Sequence, residues 1–337
     1  MFKISVIGCG DIAMGFHGPA IKKYCGDYPA AESSACCDID LHKAQKFAGE
    51  FGFKAHYNDY REMLHSEKPD VVCLITPYNI ISAMAIDIIN MGFPVIMEKP
   101  PGINREEVIA IIEAVKKNNT ANQVAFNRRF TPLVAELKGL LDRLPHPGGI
   151  HNIRCVFQRV NRIDQDFHST AIHGIDTVKY IANSDYKRIR FHYQELPAKG
   201  AVNIYMDCLM HSGAFAQFSI CPCGGKVIED YIVTSAGNDF CLKMPVWASA
   251  EYPGGLWHFA DNKLAAHFDG NDSRYGTEMY EKFGFYAENA DFFNYLRATE
   301  DRKLTLPPST VNDISSALQS VEIADCIQKR SPEYISQ

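Results

Sequence analysis

Apolar and polar positions follow two different patterns along the chain. Over the first third, short runs rich in β-branched residues alternate with longer amphipathic segments, which is typical of a parallel sheet wound by helices. The pattern predicts strands at residues 3–7, 32–37, 53–56, 71–76, 94–97 and 123–126. It predicts helices at residues 13–25, 40–51, 59–66, 80–91 and 104–118. We therefore expect an α/β domain with a doubly wound parallel sheet.

The pattern changes after residue 129, where a predicted helix at residues 132–144 ends in a run of proline and glycine. Long strand-like runs follow at residues 150–160, 188–196, 202–210, 214–221 and 226–234, interrupted by one helix at 170–181. Two further helices are predicted at residues 283–298 and 311–329. The second part thus reads as an α+β domain with a large open, mainly antiparallel sheet. We predict domains at residues 1–126 and 127–337, since 337 residues exceed the size of one core.

Composition and charge exclude several classes of partner. A net charge of -6, with 22% charged residues, provides no basic field for nucleic acid or anionic lipid. The most apolar stretch is broken at residues 76–79, so it does not read as a membrane span. Because the first strand begins by Lys3, we expect no secretory signal and a cytoplasmic protein.

The eleven cysteines are odd in number and scattered, without the paired spacing of a zinc site or a secreted disulfide framework. Cys221 and Cys223 form the one close pair, and no second pair or nearby histidine completes a metal site. We therefore interpret most of the cysteines as small buried apolar residues and expect no metal.

A glycine motif follows the first predicted strand and opens a helix. It reads Gly8-Cys9-Gly10-Asp11-Ile12-Ala13. In such a motif the first glycine permits the tight turn and the second lets the backbone approach a pyrophosphate. The residue at the Ala13 position keeps the helix close to the sheet, and the helix N-terminus attracts the phosphates. We therefore predict a Rossmann domain that binds a dinucleotide.

Asp38, at the end of the second predicted strand, is the candidate for binding the adenosine ribose of that cofactor. It lies about 28 residues beyond Gly10, which is later than the usual ~20-residue offset. A carboxylate there accepts hydrogen bonds from both ribose hydroxyls and repels a 2′-phosphate, which favours NAD. Lys43, one turn into the next helix, keeps NADP open. A helix N-cap is the alternative, or additional, role for Asp38.

The fifth predicted strand delivers Glu98-Lys99-Pro100 at its carboxyl end. Ligands bind at that edge in open α/β sheets. A lysine there can polarise a substrate oxygen or donate a hydrogen bond to it. We therefore predict that Lys99 takes part in the chemistry beside the nicotinamide.

Taken together, these motifs resemble those of the Gfo/Idh/MocA oxidoreductase family. The matching elements are Gly8-x-Gly10-x-Ile12-Ala13 with His17 and Pro19-Ala20 after it, Thr76-Pro77, Glu98-Lys99-Pro100, and Asn127-Arg128-Arg129-Phe130 with Pro132. The resemblance implies a catalytic role for Lys99. It also implies hydride transfer between a nicotinamide and a secondary carbinol of a sugar, inositol or related diol.

The resemblance also points to a catalytic helix that carries an Asp-x-Gly-x-His-x-x-Asp pattern. Here the pattern is similar to Ser169-Thr170-Ala171-Ile172-His173-Gly174-Ile175-Asp176, so His173 takes the position of the general base. Ser169 stands where the family has an aspartate and cannot ionise to support an imidazolium. Asp176 or His168 is then the candidate for orienting the base, and a structural role is open for both.

The remaining predicted site residues complete the two halves of the site. For the cofactor we add Thr76, Pro77, Glu98, Lys99, Pro100, Asn127 and Arg129 to the glycine motif and Asp38. For the substrate we expect contacts from Tyr78, Phe126, Arg162 and His168. Departures from the family pattern, such as Tyr78 and the loop at residues 163–165, fall on the substrate side.

Two other functions remain open on the sequence alone. The same family includes a transcriptional repressor that keeps the fold without the chemistry, and relatives that cleave glycosidic bonds by transient oxidation with bound NAD. Ser169 favours a non-catalytic regulator, whereas Lys99 and His173 favour an enzyme. We also expect a homodimer or homotetramer formed through the C-terminal sheet, which needs its open face covered.

Overall fold

The computed structural model describes residues 1–144, 149–163, 167–197, 200–299 and 312–336, with the side chains of residues 167 and 168 left out. The chain forms two compact units, Met1–Asn127 with Gly284–Val321, and Arg128–Phe283 with Glu322–Gln337. The sequence-based division differs, because it placed everything from residue 127 onwards in a second domain. The described residues 284–299 and 312–321 instead belong to the first unit.

The first unit contains a six-stranded parallel sheet in the order β3-β2-β1-β4-β5-β6. Its strands are β1 (Phe2–Ile7), β2 (Ala31–Cys37), β3 (Ala55–Tyr57), β4 (Val71–Leu74), β5 (Val95–Glu98) and β6 (Asn122–Ala125). Its helices are α1 (Gly18–Asp27), α2 (Leu41–Phe51), α3 (Tyr60–Glu67), α4 (Tyr78–Asn90), α5 (Arg105–Asn118) and α9 (Phe285–Ala298). This strand order is that of the dinucleotide-binding sheet, so the predicted fold of residues 1–126 is confirmed.

Local capping explains where several of these helices begin and end. The carboxylate of Asp40 accepts a hydrogen bond from the amide of His42 and caps α2, which stops at Gly52 in a left-handed conformation. The side chain of Asn104 accepts from Glu107 and caps α5. Turn residues in the sequence therefore set the lengths of the crossovers.

The predicted helix at residues 13–25 is wrong in one respect, because its first turn is a π-helix over Ala13–His17 and α1 begins only at Gly18. The amide of Gly18 donates to the carbonyl of Ala13, five residues back. Such single π turns recur at functional sites. Apolar periodicity does not distinguish this turn from an ordinary helical one.

The return of α9 to the first unit has a packing cause. Phe292 and Phe293 are fully buried in the core of this unit. Phe293 lies against Phe2 and Tyr24, with ring centroids 6.1 and 5.1 Å away. A fully buried phenylalanine contributes about 1.5–3 kcal/mol to stability, which favours this placement of the helix.

The second unit contains a nine-stranded sheet in the order β14-β13-β12-β11-β7-β10-β9-β8-β15. Its strands are β7 (Ile150–Gln158), β8 (Tyr186–Leu196), β9 (Ala201–Met210), β10 (Phe215–Cys221), β11 (Ile228–Ser235), β12 (Asn238–Lys243), β13 (Gly255–Ala260), β14 (Lys263–Asp269) and β15 (Glu333–Ile335). Strands β7 and β10 pair in parallel and the other neighbours are antiparallel. The predicted open, mainly antiparallel sheet is confirmed.

Helices cover one face of this sheet. They are α6 (Pro132–Leu141), α7 (Phe167–Ala182) and the end of α10 (Ile314–Gln328). The short α8 (Met279–Lys282) belongs to the same unit. Strands β12 to β15 were not predicted from the sequence. The other face carries exposed apolar side chains, which include Val156, Tyr205, Leu209, Phe215, Phe259 and Leu264.

Candidate active site

Gly8 closes the loop after β1 in a way that no other residue can. Its backbone is in the left-handed region at φ +95°, and a Cβ at this position would lie 2.0 Å from the carbonyl oxygen of Ile75. The amide of Gly8 donates to the carbonyl of Cys37, with N and O 2.8 Å apart. The loop is thereby held against the ends of both β2 and β4.

Gly10 differs from Gly8, because a Cβ built on it meets no atom within 4 Å. Asp11 and Ile12 are also exposed, whereas Ala13 is fully buried. The space beside Gly10 is therefore open at the start of the helical segment, where backbone N–H groups favour an anion.

The carboxylate of Asp38 is fixed by two backbone donors. Its Oδ2 accepts from the amide of Cys9 at 2.8 Å, and its Oδ1 accepts from the amide of Asp40 at 3.0 Å. Asp38 does not cap α2, because Asp40 does so. The bond from Cys9 places the acidic side chain directly beside the glycine loop.

A cavity of about 340 Å³ lies along this edge of the sheet. Its lining includes Gly8, Gly10, Asp38, Lys43, Tyr60, Thr76, Pro77 and Ile80. Within the described part of the chain, the buried Oγ1 of Thr76 makes no hydrogen bond. Buried hydroxyls normally have a partner, so this atom is available to a ligand.

These features fit a dinucleotide. The glycine loop offers room and backbone donors for phosphates, and Asp38 offers the acceptor for ribose hydroxyls. Predicted cofactor residues Gly8, Gly10, Asp38, Thr76 and Pro77 therefore line one cavity.

Glu98 ends β5 and is 9% exposed. Its Oε1 lies 3.0 Å from Nε2 of the buried His17, and its Oε2 accepts from the amide of Lys99 at 3.0 Å. Burial acts to raise the pKa of Glu98, but the hydrogen bonds from His17 and from the Lys99 amide, together with the charge of Lys99, hold it below its usual range. Glu98 is therefore a buried anion at neutral pH, and its predicted contact with the cofactor stays a prediction.

The other side of His17 is held by α9. Asn289 places its Nδ2 3.2 Å from Nδ1 of His17 and 2.7 Å from the carbonyl oxygen of Phe285. Sequence reasoning noted His17 only as part of a motif and missed Asn289 altogether. Nothing in the sequence signals a pairing across 272 residues.

Lys99 is half-buried and follows Glu98 at the carboxyl end of the sheet. The Lys99–Pro100 peptide is cis, and Pro100 is buried. Phe126 is 1% exposed and Asn127 is 2% exposed, so neither presents much surface to a ligand in this conformation. Tyr78 begins α4 and is half-buried.

In the second unit, His173 lies on α7 and is 6% exposed. Its carbonyl oxygen accepts from the hydroxyl of Thr177 at 2.7 Å. Ser169 occupies the first turn of the same helix. The side chain of His168 and residues 164–166 lie outside the described residues, so the predictions made for them stay predictions.

Asp176, predicted as a possible partner of His173, makes a two-pronged ion pair with Arg129. Its Oδ2 accepts from Nε at 2.8 Å and its Oδ1 from Nη2 at 2.5 Å. Planar forks of this kind are the strong arginine–carboxylate pairs. Arg129, predicted as a cofactor ligand, is thus engaged with α7 of its own unit.

A second buried cluster, which we call the arginine–glutamate triad, joins Arg128 and Arg159 through Glu229. Arg128 donates from Nη2 at 2.9 Å and from Nε at 3.2 Å, and Arg159 donates to the same carboxylate. Burial acts to raise the pKa of Glu229, but the two guanidinium groups hold it below its usual value. The sequence analysis did not find this triad.

The guanidinium of Arg162, a predicted substrate contact, donates a hydrogen bond to the hydroxyl of Thr170 at 3.2 Å. Thr170 lies one turn before His173 on α7.

The described residues provide no second kind of binding site among those considered for metals or membranes. They contain no group of three metal-ligating side chains that could hold a metal. No described helix has both the length and the apolar character to cross a membrane. All eleven cysteines are free thiols.

Known proteins resemble the chain over different lengths. Residues 2–126 match the family described as "Oxidoreductase family, NAD-binding Rossmann fold". The inositol 2-dehydrogenase of Salmonella paratyphi B is 25% identical over 197 residues, which cover 57% of each chain. The scyllo-inositol 2-dehydrogenase (NAD(+)) of Bacillus subtilis is 29% identical over 140 residues, covering 42% of this chain and 40% of that one.

The matched segments therefore span about half the length of these curated relatives. Over the whole chain, a dehydrogenase from Clostridium difficile has the same fold, with a TM-score of 0.80 at 18% identity over 98% of this chain and 99% of that one. The resemblance to the Gfo/Idh/MocA oxidoreductases is confirmed, because residues 2–126 match the model of that family's NAD-binding Rossmann fold.

Proposed function

We propose that the protein is a nicotinamide-dependent dehydrogenase that acts on a secondary carbinol of a sugar, inositol or related polyol. The observation that carries this proposal is the turn Glu98-Lys99, which places a lysine beside a structural anion at the carboxyl end of the sheet that binds the dinucleotide. The inositol dehydrogenases among its relatives support the substrate class.

In the proposed chemistry, each polar group has one task. When bound, NAD supplies the redox chemistry by accepting a hydride from the carbinol carbon. His173 removes the hydroxyl proton, and the ammonium of Lys99 donates a hydrogen bond to the oxygen as its negative charge develops. These two roles rest on residue chemistry and on the family resemblance.

NAD is the proposed cofactor rather than NADP. The carboxylate of Asp38 is held by Cys9 and Asp40 at the place predicted for the ribose hydroxyls, where it repels a 2′-phosphate. Lys43 lines the same cavity and provides some attraction for that phosphate. The charge of Asp38 should dominate, because its position is fixed by backbone donors.

Assembly and location are further parts of the proposal. The exposed apolar side chains on the nine-stranded sheet support a homodimer or homotetramer formed through that face. Eleven free thiols support a reducing compartment, the cytoplasm. Light scattering on the purified protein measures its molar mass in solution. The mass of a monomer would contradict the proposed homodimer or homotetramer.

The test of the function is NADH or NADPH formation at 340 nm against a panel of sugars, inositols and cyclic diols. We expect a signal with NAD that disappears in the Lys99→Ala variant. Calorimetry with NAD alone separates failure of binding from failure of turnover. Tight binding without turnover on any substrate would favour the non-catalytic regulator.

A further inference from the structure

Hydrogen bonds connect α9 to the turn that carries Lys99. Asn289 contacts His17, His17 contacts Glu98, and Glu98 accepts from the backbone amide of Lys99. Asn289 is fully buried and His17 is 1% exposed. All four residues belong to the first unit, and Asn289, His17 and Glu98 are buried.

The tautomer of His17 follows from its neighbours. The amide nitrogen of Asn289 is 2.7 Å from the carbonyl oxygen of Phe285, which can only accept, so the amide group is oriented with its donors towards Phe285 and His17. Nδ1 of His17 must then accept from Asn289 and carry no proton. The ring proton lies on Nε2 and is donated to Glu98.

This arrangement keeps the charge on Glu98 and leaves the imidazole neutral. Protonation of Nδ1 would place two donors face to face, because Asn289 cannot turn without losing its bond to Phe285. The charged or titratable groups that face Glu98 are His17, from the π turn, and Lys99, from its own turn. The neighbour from α9 is the neutral Asn289, which reaches Glu98 only through His17.

The π turn brings His17 to this position. It holds one more residue between the glycine loop and His17 than an α-helical turn would, since its hydrogen bond spans five residues rather than four. Phe285 of α9 packs on the turn, with its ring 4.7 Å from that of Phe16 and 5.1 Å from that of His17. The return of α9 to the first unit thus supports a residue of the glycine-loop segment.

We propose that His17 is a positioning residue for the reaction: oriented by Asn289, it holds the Glu98 carboxylate in one geometry and thereby fixes the turn on which Lys99 stands. The inference rests on the proposed function, in which Lys99 contacts the reacting oxygen. His17 itself is 1% exposed and so offers almost no surface to a cofactor or substrate.

Two substitutions at His17 distinguish its hydrogen bond to Glu98 from a purely packing role. His17→Leu removes the donor and leaves Glu98 to be protonated more easily, whereas His17→Gln keeps an N–H that can reach the carboxylate. We expect His17→Leu to lower kcat by about tenfold to 100-fold, because small displacements of a catalytic group cost rates of this order. NAD affinity should be unchanged in both variants, since the glycine loop and Asp38 are untouched.

The pH dependence of kcat distinguishes this role from packing, because a loss of packing alone would not change it. In His17→Leu the pKa of Glu98 rises, because burial is no longer opposed by the histidine. Its kcat should therefore gain a new decline towards acid pH that wild type and His17→Gln lack. Equal pH profiles in wild type and His17→Leu, or no recovery in His17→Gln, would overturn the proposal.

A measurement without turnover distinguishes failure of this inference from failure of the proposed function. Long-range proton–nitrogen NMR spectra of histidine-labelled protein report the tautomer, and the His17→Gln variant identifies the His17 signal by its loss. We expect a neutral ring with the proton on Nε2, and loss of that fixed tautomer in Asn289→Leu. A charged ring, or a proton on Nδ1, would overturn the inference even if the protein proves to be a dehydrogenase.

Discussion

The backbone amide of Cys9 donates to the carboxylate of Asp38 across 2.8 Å, so the glycine loop and the ribose-binding acid are joined by a hydrogen bond. The bond ties together the two features that we expect to recognise opposite ends of the adenosine diphosphate. Disturbing Asp38 should therefore change both the choice of cofactor and the placement of the loop.

Asp38→Asn should shift the preference from NAD towards NADP. The amide is nearly the same size, but it removes the negative charge that repels a 2′-phosphate and leaves Lys43 to attract it. We expect NAD to bind about tenfold more weakly, or about 1.4 kcal/mol, and NADP to bind more tightly. Calorimetric Kd values for both cofactors check this, with Asp239→Asn, on the second unit, as the control. An unchanged NAD to NADP ratio would contradict the assignment.

The two loop glycines should respond differently to alanine. Gly8→Ala should destabilise the first unit, because its Cβ would overlap the carbonyl of Ile75 and its positive φ is strained. Gly10→Ala should leave the fold intact and weaken NAD binding, since its Cβ enters only the open space of the cavity. Thermal unfolding and calorimetry measure the two effects separately. The control is Gly49→Ala in the exposed part of α2, where a Cβ meets no atom within 4 Å, and this variant should bind NAD as tightly as wild type. Unchanged NAD affinity in Gly10→Ala would contradict the pyrophosphate site.

Removing Glu229 should destabilise the second unit strongly. Glu229→Ala leaves two largely buried guanidinium groups without their shared carboxylate, and breaking such a buried cluster costs about 3–5 kcal/mol. Glu32→Ala, which breaks the exposed pair with Lys54, should cost about 0–1 kcal/mol. Urea unfolding of both variants gives the comparison, and similar losses in the two would rule out a stabilising role for the triad.

The same carboxylate should make stability depend on pH. Since the folded pKa of Glu229 is lowered, its contribution is present above the unfolded value of about 4.3 and is lost as pH falls through the folded pKa. The difference in unfolding free energy between wild type and Glu229→Gln should therefore shrink below about pH 4.3. Urea titrations at a series of pH values measure it. A difference that grew on acidification would show the opposite sign of linkage.

The sequence was most informative where the determinants are local. The glycine motif, Asp38 and the Glu98-Lys99 turn each sit at the end of a strand that apolar runs predicted, and residues distant in sequence meet at that edge because parallel strands share it. The Rossmann half and its cavity follow from this rule. The predicted strand ends deviate by only one or two residues, since turn residues mark them poorly.

What the sequence did not reveal depends on long-range contacts. Glu229 lies 101 residues from Arg128 and 70 from Arg159, and Asn289 lies 272 from His17. Strands β12 to β14 were missed because their alternation is weak and Pro253 and Gly254 interrupt it. The sequence analysis placed α9 in the second domain, because the pattern of apolar residues predicts a buried helix face but does not indicate which unit buries it.

The central claim is that Lys99 and His173 perform the chemistry, while the glycine loop and Asp38 provide most of the affinity for the cofactor. The most direct test compares kcat and the NAD dissociation constant of Lys99→Ala and His173→Ala with those of wild type on the best substrate, with the exposed Lys22→Ala and His151→Ala as controls. We predict that kcat falls by about 10²–10⁴-fold in both variants, that NAD binding stays nearly unchanged, and that the controls match wild type. Full turnover in either variant would contradict the claim.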